Sequence, residues 1–248
     1  GATRSTCVWW LITSLSSTPH GVTPGARHGK SRAFARYQAT ISRASITMSA
    51  TIVAMQTGKD VWAELRAGNE RFASGAAAGP HRDRARLDEL VGGQHPRAAV
   101  IACSDSRVPV ELLFDAGFGD IFTIRTAGGC VDDAVAASVD FAVSALGVPL
   151  VVVMSHESCG AIGAAIGAVR SGEVPGGLSR VFVEKIGPSV IEAGDQDRAG
   201  VEEAHARITA EQLIGRVPAI AERGAGVVAA RYRLDGGRVE TVWERFAD

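Results

Sequence analysis

Two short stretches of this chain carry side chains whose types and spacing suit chemistry. Cys103-Ser104-Asp105-Ser106-Arg107 lies about fifty residues ahead of His156-Glu157-Ser158-Cys159-Gly160. His-x-x-Cys alone is common by chance. A further cysteine at the end of another predicted strand changes its weight, because together they offer two thiolates and one imidazole, a donor set that suits zinc. Three protein ligands leave one tetrahedral position free, which marks a catalytic rather than a structural site. Two thiolates also balance the charge of the dication. Asp105 and Arg107, two apart in a loop, can turn together so that the guanidinium grips the carboxylate in a fork. Arg107 would then keep Asp105 ionised and aimed at solvent in the open position. With the pair broken, Asp105 could swing onto the metal as a fourth ligand and close the site. Plainer readings exist for each part. Buried cysteines and a strand-end histidine are ordinary core groups when taken singly, and Asp105–Arg107 can be a purely structural ion pair.

The elements that must position these residues follow from hydrophobic period. Residues 98–102 form a continuous small apolar run into Cys103, and 150–154 a stronger one towards His156. Both read as strands buried on two faces. Residues 120–125 alternate and predict another strand. Helices are expected from Lys59 to a stop at Gly75 and over 84–91, 110–114, 131–146, 159–169, 181–193 and 201–221. Segment 171–179 is expected as a loop. Segments 226–234 and 238–243 flank Asp235-Gly236-Gly237 and predict a hairpin. Strands alternating with helices imply an α/β fold: a mainly parallel central sheet flanked by helices, with a C-terminal antiparallel edge hairpin. Ligands bind beyond the carboxyl ends of the strands in such sheets. Cys103 and His156 both fall there.

Composition narrows the class further. The chain has 248 residues, 46% of them hydrophobic and 6% aromatic, with 29 glycines, a mix expected of a soluble α/β protein. Its apolar runs fall short of the ~20 residues a membrane-spanning helix needs, so no membrane association is expected. The first 59 residues hold seven basic residues and no acidic one, leaving 19 basic against 27 acidic in the rest. A body so acidic does not attract nucleic acid. Residues 1–56 lack any sustained period, and a disordered leader or start-site extension is expected there, with 57–248 as one zinc-binding domain. Four cysteines are too few for a disulfide framework in a domain of this size, and unpaired thiols favour the cytoplasm.

The sequence Cys103-Ser104-Asp105-Ser106-Arg107-Val108, followed by His156-x-x-Cys159-Gly160, resembles the β-carbonic anhydrase family. Further matches are Gly119-Asp120-Ile121-Phe122, Arg125-Thr126-Ala127-Gly128, the run Gly68-Asn69-Glu70-Arg71-Phe72 after Trp62, and the late Ala230-Arg231-Tyr232-Arg233-Leu234. The likeness covers residues 61–243. It implies reversible hydration of CO2 to bicarbonate and a proton, with Zn2+ on Cys103, His156 and Cys159 and an Asp105–Arg107 dyad. It implies that Gln94 donates to bound substrate and that Phe122 forms an apolar wall. It also implies a homodimer, or a tetramer of dimers, with pockets at the subunit boundary. On sequence alone Gln94 is equally a solvated loop residue and Phe122 equally core. Three departures stand out. Ser155 replaces a common glycine and Phe141 a common tyrosine, and no tryptophan precedes Cys103, so the bicarbonate regulation that accompanies it is not expected. His95 and His205 are candidate proton relays, with His205 expected at the surface. COS or CS2 hydrolysis on the same site, and a non-enzymatic structural zinc protein, are the competing functions.

Overall fold

The computed structural model describes residues 56–247. The expected leader over 1–56 therefore lies, except for Gln56, outside the described residues. Helix α1, Gly58–Ala73, begins at a reciprocal cap. The Thr57 hydroxyl accepts from the Asp60 N–H at 3.2 Å, while the Asp60 carboxylate accepts from the Thr57 N–H at 3.0 Å, satisfying two end-of-helix donors at once. Its inward stripe of Val61, Trp62 and Leu65 is buried. Short helix α2, Arg84–Glu89, leads to β1, Ala98–Cys103. Then come α3 (Val110–Leu113), β2 (Ile121–Thr126), α4 (Asp133–Ser144) and β3 (Leu150–His156). Helices α5 (Gly160–Ser171), α6 (Arg180–Ala193), α7 (Arg198–Arg216) and α8 (Pro218–Glu222) precede β4 (Gly226–Tyr232) and β5 (Val239–Arg245).

The five strands are ordered β2-β1-β3-β4-β5. The first three pairings are parallel, and β5 runs antiparallel to β4, the expected architecture with its edge hairpin. Every residue of β1 and β3 is buried, because helices cover both sheet faces. On one face Val100, Ala102, Val152 and Met154 pack with α1. On the other Ile101, Val151 and Val153 pack with residues of α4, α7 and α8. Burying each such Val or Ile contributes roughly 1.5–3 kcal/mol, so the two strands that end at the site are firmly anchored. The chain passes from β1 to β2 on one side and then to β3 on the other. That reversal opens a crevice beyond the carboxyl ends of β1 and β3.

Boundaries shift where local chemistry overrides period. The helix expected over 201–221 is two helices, because Val217 leaves helical geometry (φ −120°, ψ 87°) and Pro218 starts afresh without an N–H. The helix expected over 131–146 starts at Asp133, since the Asp132 carboxylate caps it by accepting from the Val135 N–H at 2.9 Å. The start of the expected 171–179 loop still belongs to helix α5, which runs as far as Ser171, and Gly177–Ser179 forms a 3-10 turn. Among the described residues no helix is long and apolar enough to cross a membrane.

Candidate metal centre and its surroundings

Parallel pairing of β1 with β3 sets Ala102 beside Met154, so the ends of both strands, Cys103 and His156, emerge into the crevice together. The chain then turns sharply and Cys159 stands at the position just before the first residue of α5, without a side-chain cap. As a result the sulfurs of Cys103 and Cys159 and a ring nitrogen of His156 all lie within 4.8 Å of one another.

The hydrogen bonds of His156 show what this group is suited to hold. Its Nδ1 lies 2.9 Å from the Glu157 carbonyl oxygen. A carbonyl only accepts, so Nδ1 carries the hydrogen and Nε2 presents a lone pair. Among the described residues, Nε2 is buried with no hydrogen-bond partner. An orphaned buried nitrogen costs about 1–3 kcal/mol, and a cation between it and the two sulfurs satisfies it. Two thiolates and a fixed imidazole lone pair fit a zinc ion. Burial works against charge on His156, but the adjoining Cys103 sulfur and Asp105 carboxylate outweigh it and raise its pKa.

The thiols are polarised against each other. The Cys103 pKa falls to about 4, chiefly through the hydrogen bond from Cys159, despite burial, and with help from the N–H groups of Asp105 and Gly128. Those N–H groups lie 3.4 and 3.2 Å from its sulfur. Cys159 is pushed upward by the same shared hydrogen bond and by burial. One proton is thus shared by two sulfurs, with the negative charge on Cys103. Cys130, a third buried thiol, is pushed up to about 11 by burial and stays neutral.

Asp105 and Arg107 form a two-pronged pair. Arg107 Nε donates to Oδ1 at 2.9 Å and Nη2 to Oδ2 at 2.7 Å, and the Arg107 backbone N–H adds a third bond at 2.9 Å. Those bonds hold the Asp105 carboxyl well below the usual carboxylate range. Its Oδ2 stands 3.9 Å from His156 Nε2, beside the three donors but turned to Arg107. Arg125 ties down the same loop, donating to the carbonyls of Cys103 at 2.9 Å and Asp105 at 2.6 Å.

The turn carrying Cys159 is braced from behind. Ser158 adopts φ +59°, a region costly for a residue with a side chain. Its N–H is held at 2.9 Å by the carboxylate of Glu202, which is 1% exposed and pairs with Arg231 at 2.9 Å and Arg198 at 3.3 Å. Arg198 also donates to the Cys159 carbonyl. Glu202 is absent from the residues that sequence reasoning singles out. The available signal is a polar residue on the inward stripe of an otherwise apolar helix face. Ser155, replacing the expected glycine, stays in regular strand and its hydroxyl donates to the Ala230 carbonyl at 3.4 Å. His205, expected at the surface, is instead 4% exposed. With Gly128 and Ser189 against its ring nitrogens, it offers no route for protons to solvent.

Gln94 and Phe122 do not join this group within the chain. Gln94 is exposed just before β1, and Phe122 pairs in register with Ala99 near the start of β1. At ~3.3 Å per residue, five steps of strand put Ala98 roughly 16 Å from Cys103. Phe122 packs against Ala99 and Val148, with its ring centroid 6.3 Å from that of Phe141.

A sequence profile described as carbonic anhydrase matches residues 98–239. The chain is 43% identical over 185 residues to "Carbonic anhydrase 2" of Mycobacterium tuberculosis, covering 71% of this chain and 89% of that protein. It is 42% identical over 186 residues to a carbonic anhydrase of Mycolicibacterium smegmatis, covering 72% and 90%. The fold matches a Coccomyxa beta-carbonic anhydrase with a TM-score of 0.59 at 20% identity, over 73% of this chain and 86% of that one.

Proposed function

This chain belongs to the β-carbonic anhydrase family, and from that membership we propose that it hydrates CO2 reversibly to bicarbonate and a proton at a zinc ion held by Cys103, His156 and Cys159. The observation that carries the reading is the convergence of three donor atoms, two sulfurs and a buried His156 Nε2 that has no hydrogen-bond partner among the described residues. Zinc bound there supplies the Lewis acidity that makes hydroxide available near neutral pH.

The chain's own residues do the rest. Asp105, kept ionised by Arg107, accepts the hydrogen of the attacking water and orients its lone pair towards CO2. The Arg107 fork keeps Asp105 turned away from the three donors; without it the carboxylate would be free to turn onto an ion held by them. Residues 57–248 act as one domain for this purpose. Gln94 donates to substrate and Phe122 walls the pocket, but both lie towards the amino end of the sheet, away from the donors of their own chain, so each serves the centre of a second copy. A homodimer, alone or paired into a tetramer, is the working unit. Support comes from β2, an edge strand whose side chains are mostly half-buried, and from the exposed Leu112, Phe118 and Phe141 nearby. Free buried thiols suit a reducing compartment, and the cytoplasm is proposed.

Metal analysis combined with stopped-flow CO2 hydration on the full chain tests this reading. One zinc per chain is expected, with a rate that rises on the alkaline side of neutrality, because two thiolates donate more charge to the metal than two imidazoles would. Zinc-loaded protein without hydration at any pH would leave only a structural metal, and preferential turnover of COS or CS2 would reassign the substrate.

A further inference from the structure

Behind the Cys103 sulfur lies a chain of hydrogen bonds that ends on α7. His205 Nε2 is 3.0 Å from the Gly128 carbonyl oxygen, and Nδ1 is 3.3 Å from the Ser189 hydroxyl. Since a carbonyl only accepts, Nε2 carries the hydrogen. Burial pulls the pKa of the ring down, so the ring is neutral and Nδ1 accepts from Ser189. Gly128 is the pivot. Its carbonyl takes the hydrogen of His205, while its own N–H points to Cys103 Sγ at 3.2 Å. The two peptides that flank its Cα hold these attitudes at a backbone conformation that favours glycine. Its φ is +72°, and a Cβ would lie 2.9 Å from Ala161 Cβ and 3.1 Å from Ile186 Cδ1. One turn earlier on the same helix, Glu202 holds the Ser158 N–H. Helix α7 thus reaches both ligand-bearing loops through buried polar side chains.

We propose that His205 is a positioning residue for the metal centre: by holding the Gly128 carbonyl it steadies the residue whose N–H points at the Cys103 sulfur, and so supports one ligand without touching it. Groups that orient a metal ligand through a hydrogen bond commonly govern affinity as much as geometry does. The proposal rests on the reading that Cys103, His156 and Cys159 hold zinc. The rival explanation is that a buried histidine merely fills space between α6 and α7.

Two side chains of nearly equal length separate these. His205→Gln keeps an amide donor near the position of Nε2, and His205→Met has none. In the full chain, zinc affinity is read by competition with a chromophoric chelator, and the cobalt-substituted protein reports the sulfur-to-metal charge-transfer band. His205→Met is expected to weaken zinc binding ~10–100-fold and to shift the band, with His205→Gln recovering most of both. Methionine and glutamine variants that behave alike overturn the proposal, whether both match wild type or both fail. If the methionine variant does not accumulate as folded protein, Ser189→Ala decides. Loss of the hydroxyl that keeps the hydrogen on Nε2 should move the band the same way by less, and an unmoved band overturns the idea. Wild-type chain that binds no zinc takes down the metal reading itself. Wild type that binds zinc beside unaffected variants removes only the role of His205.

Discussion

At the carboxyl end of the parallel sheet Cys103, His156 and Cys159 meet within one chain, braced by Arg125, Glu202 and His205. At the amino end of the same strands Gln94 is exposed and Phe122 leans on Phe141, which is itself 49% exposed. The donors at the first end are buried, and their loops are tied to backbone and side chains around them. The groups at the second stand about a strand's length from Cys103 of their own chain. One fold therefore assembles the three donors internally, and under the proposed dimer it would leave the walls of the pocket to a neighbour.

The largest effect is expected at the carboxyl end. Cys159→Ala removes a ligand and leaves His156 and Cys103 unable to close around the ion, so zinc content and hydration should vanish together. Metal analysis of purified protein checks this, and a variant that retains zinc would show that a different residue completes the site. Arg107→Ala should behave differently, with zinc retained and kcat/KM reduced ~10–100-fold as Asp105 loses its restraint. Near-wild-type rates would end the dyad's role.

The amino end should respond in association rather than in metal binding. Phe122→Asp is expected to yield monomer by sedimentation, with zinc still bound and hydration reduced. A fully active monomer would show that each centre is complete by itself. Gln94→Ala removes one neutral hydrogen bond, about 1 kcal/mol or ~5-fold in rate, and should leave zinc content and association unchanged. The smallest effect is spectroscopic. In zinc-free protein the lowered pKa of Cys103, about 4, means that its thiolate persists at neutral pH and is protonated only as pH falls through that value. Ultraviolet thiolate absorbance should therefore survive at pH 6 and disappear near pH 4. A signal lost already between pH 8 and 9 would mean that Cys103 is an ordinary thiol.

Much of this architecture is legible in the order of the residues alone. The apolar runs leading to Cys103 and His156 specify most of β1 and β3, because a strand buried on both faces favours apolar side chains, and the Asp105–Arg107 spacing announces a fork that the loop does form. Period alone cannot end helices where a cap or an imino acid intervenes, as at Asp132 and Pro218, and it places His205 at the surface. Local sequence determined the ligand types, their strand-end positions and the parallel sheet, because these depend on residues near one another in the chain. Only tertiary structure decided that Glu202 and His205 turn inward, that Gly128 lends its N–H to a sulfur, and that Gln94 and Phe122 lie a strand's length from the donors. Those facts depend on which helix packs behind which loop, and burial of a polar group is settled by its partner rather than by its neighbours in sequence.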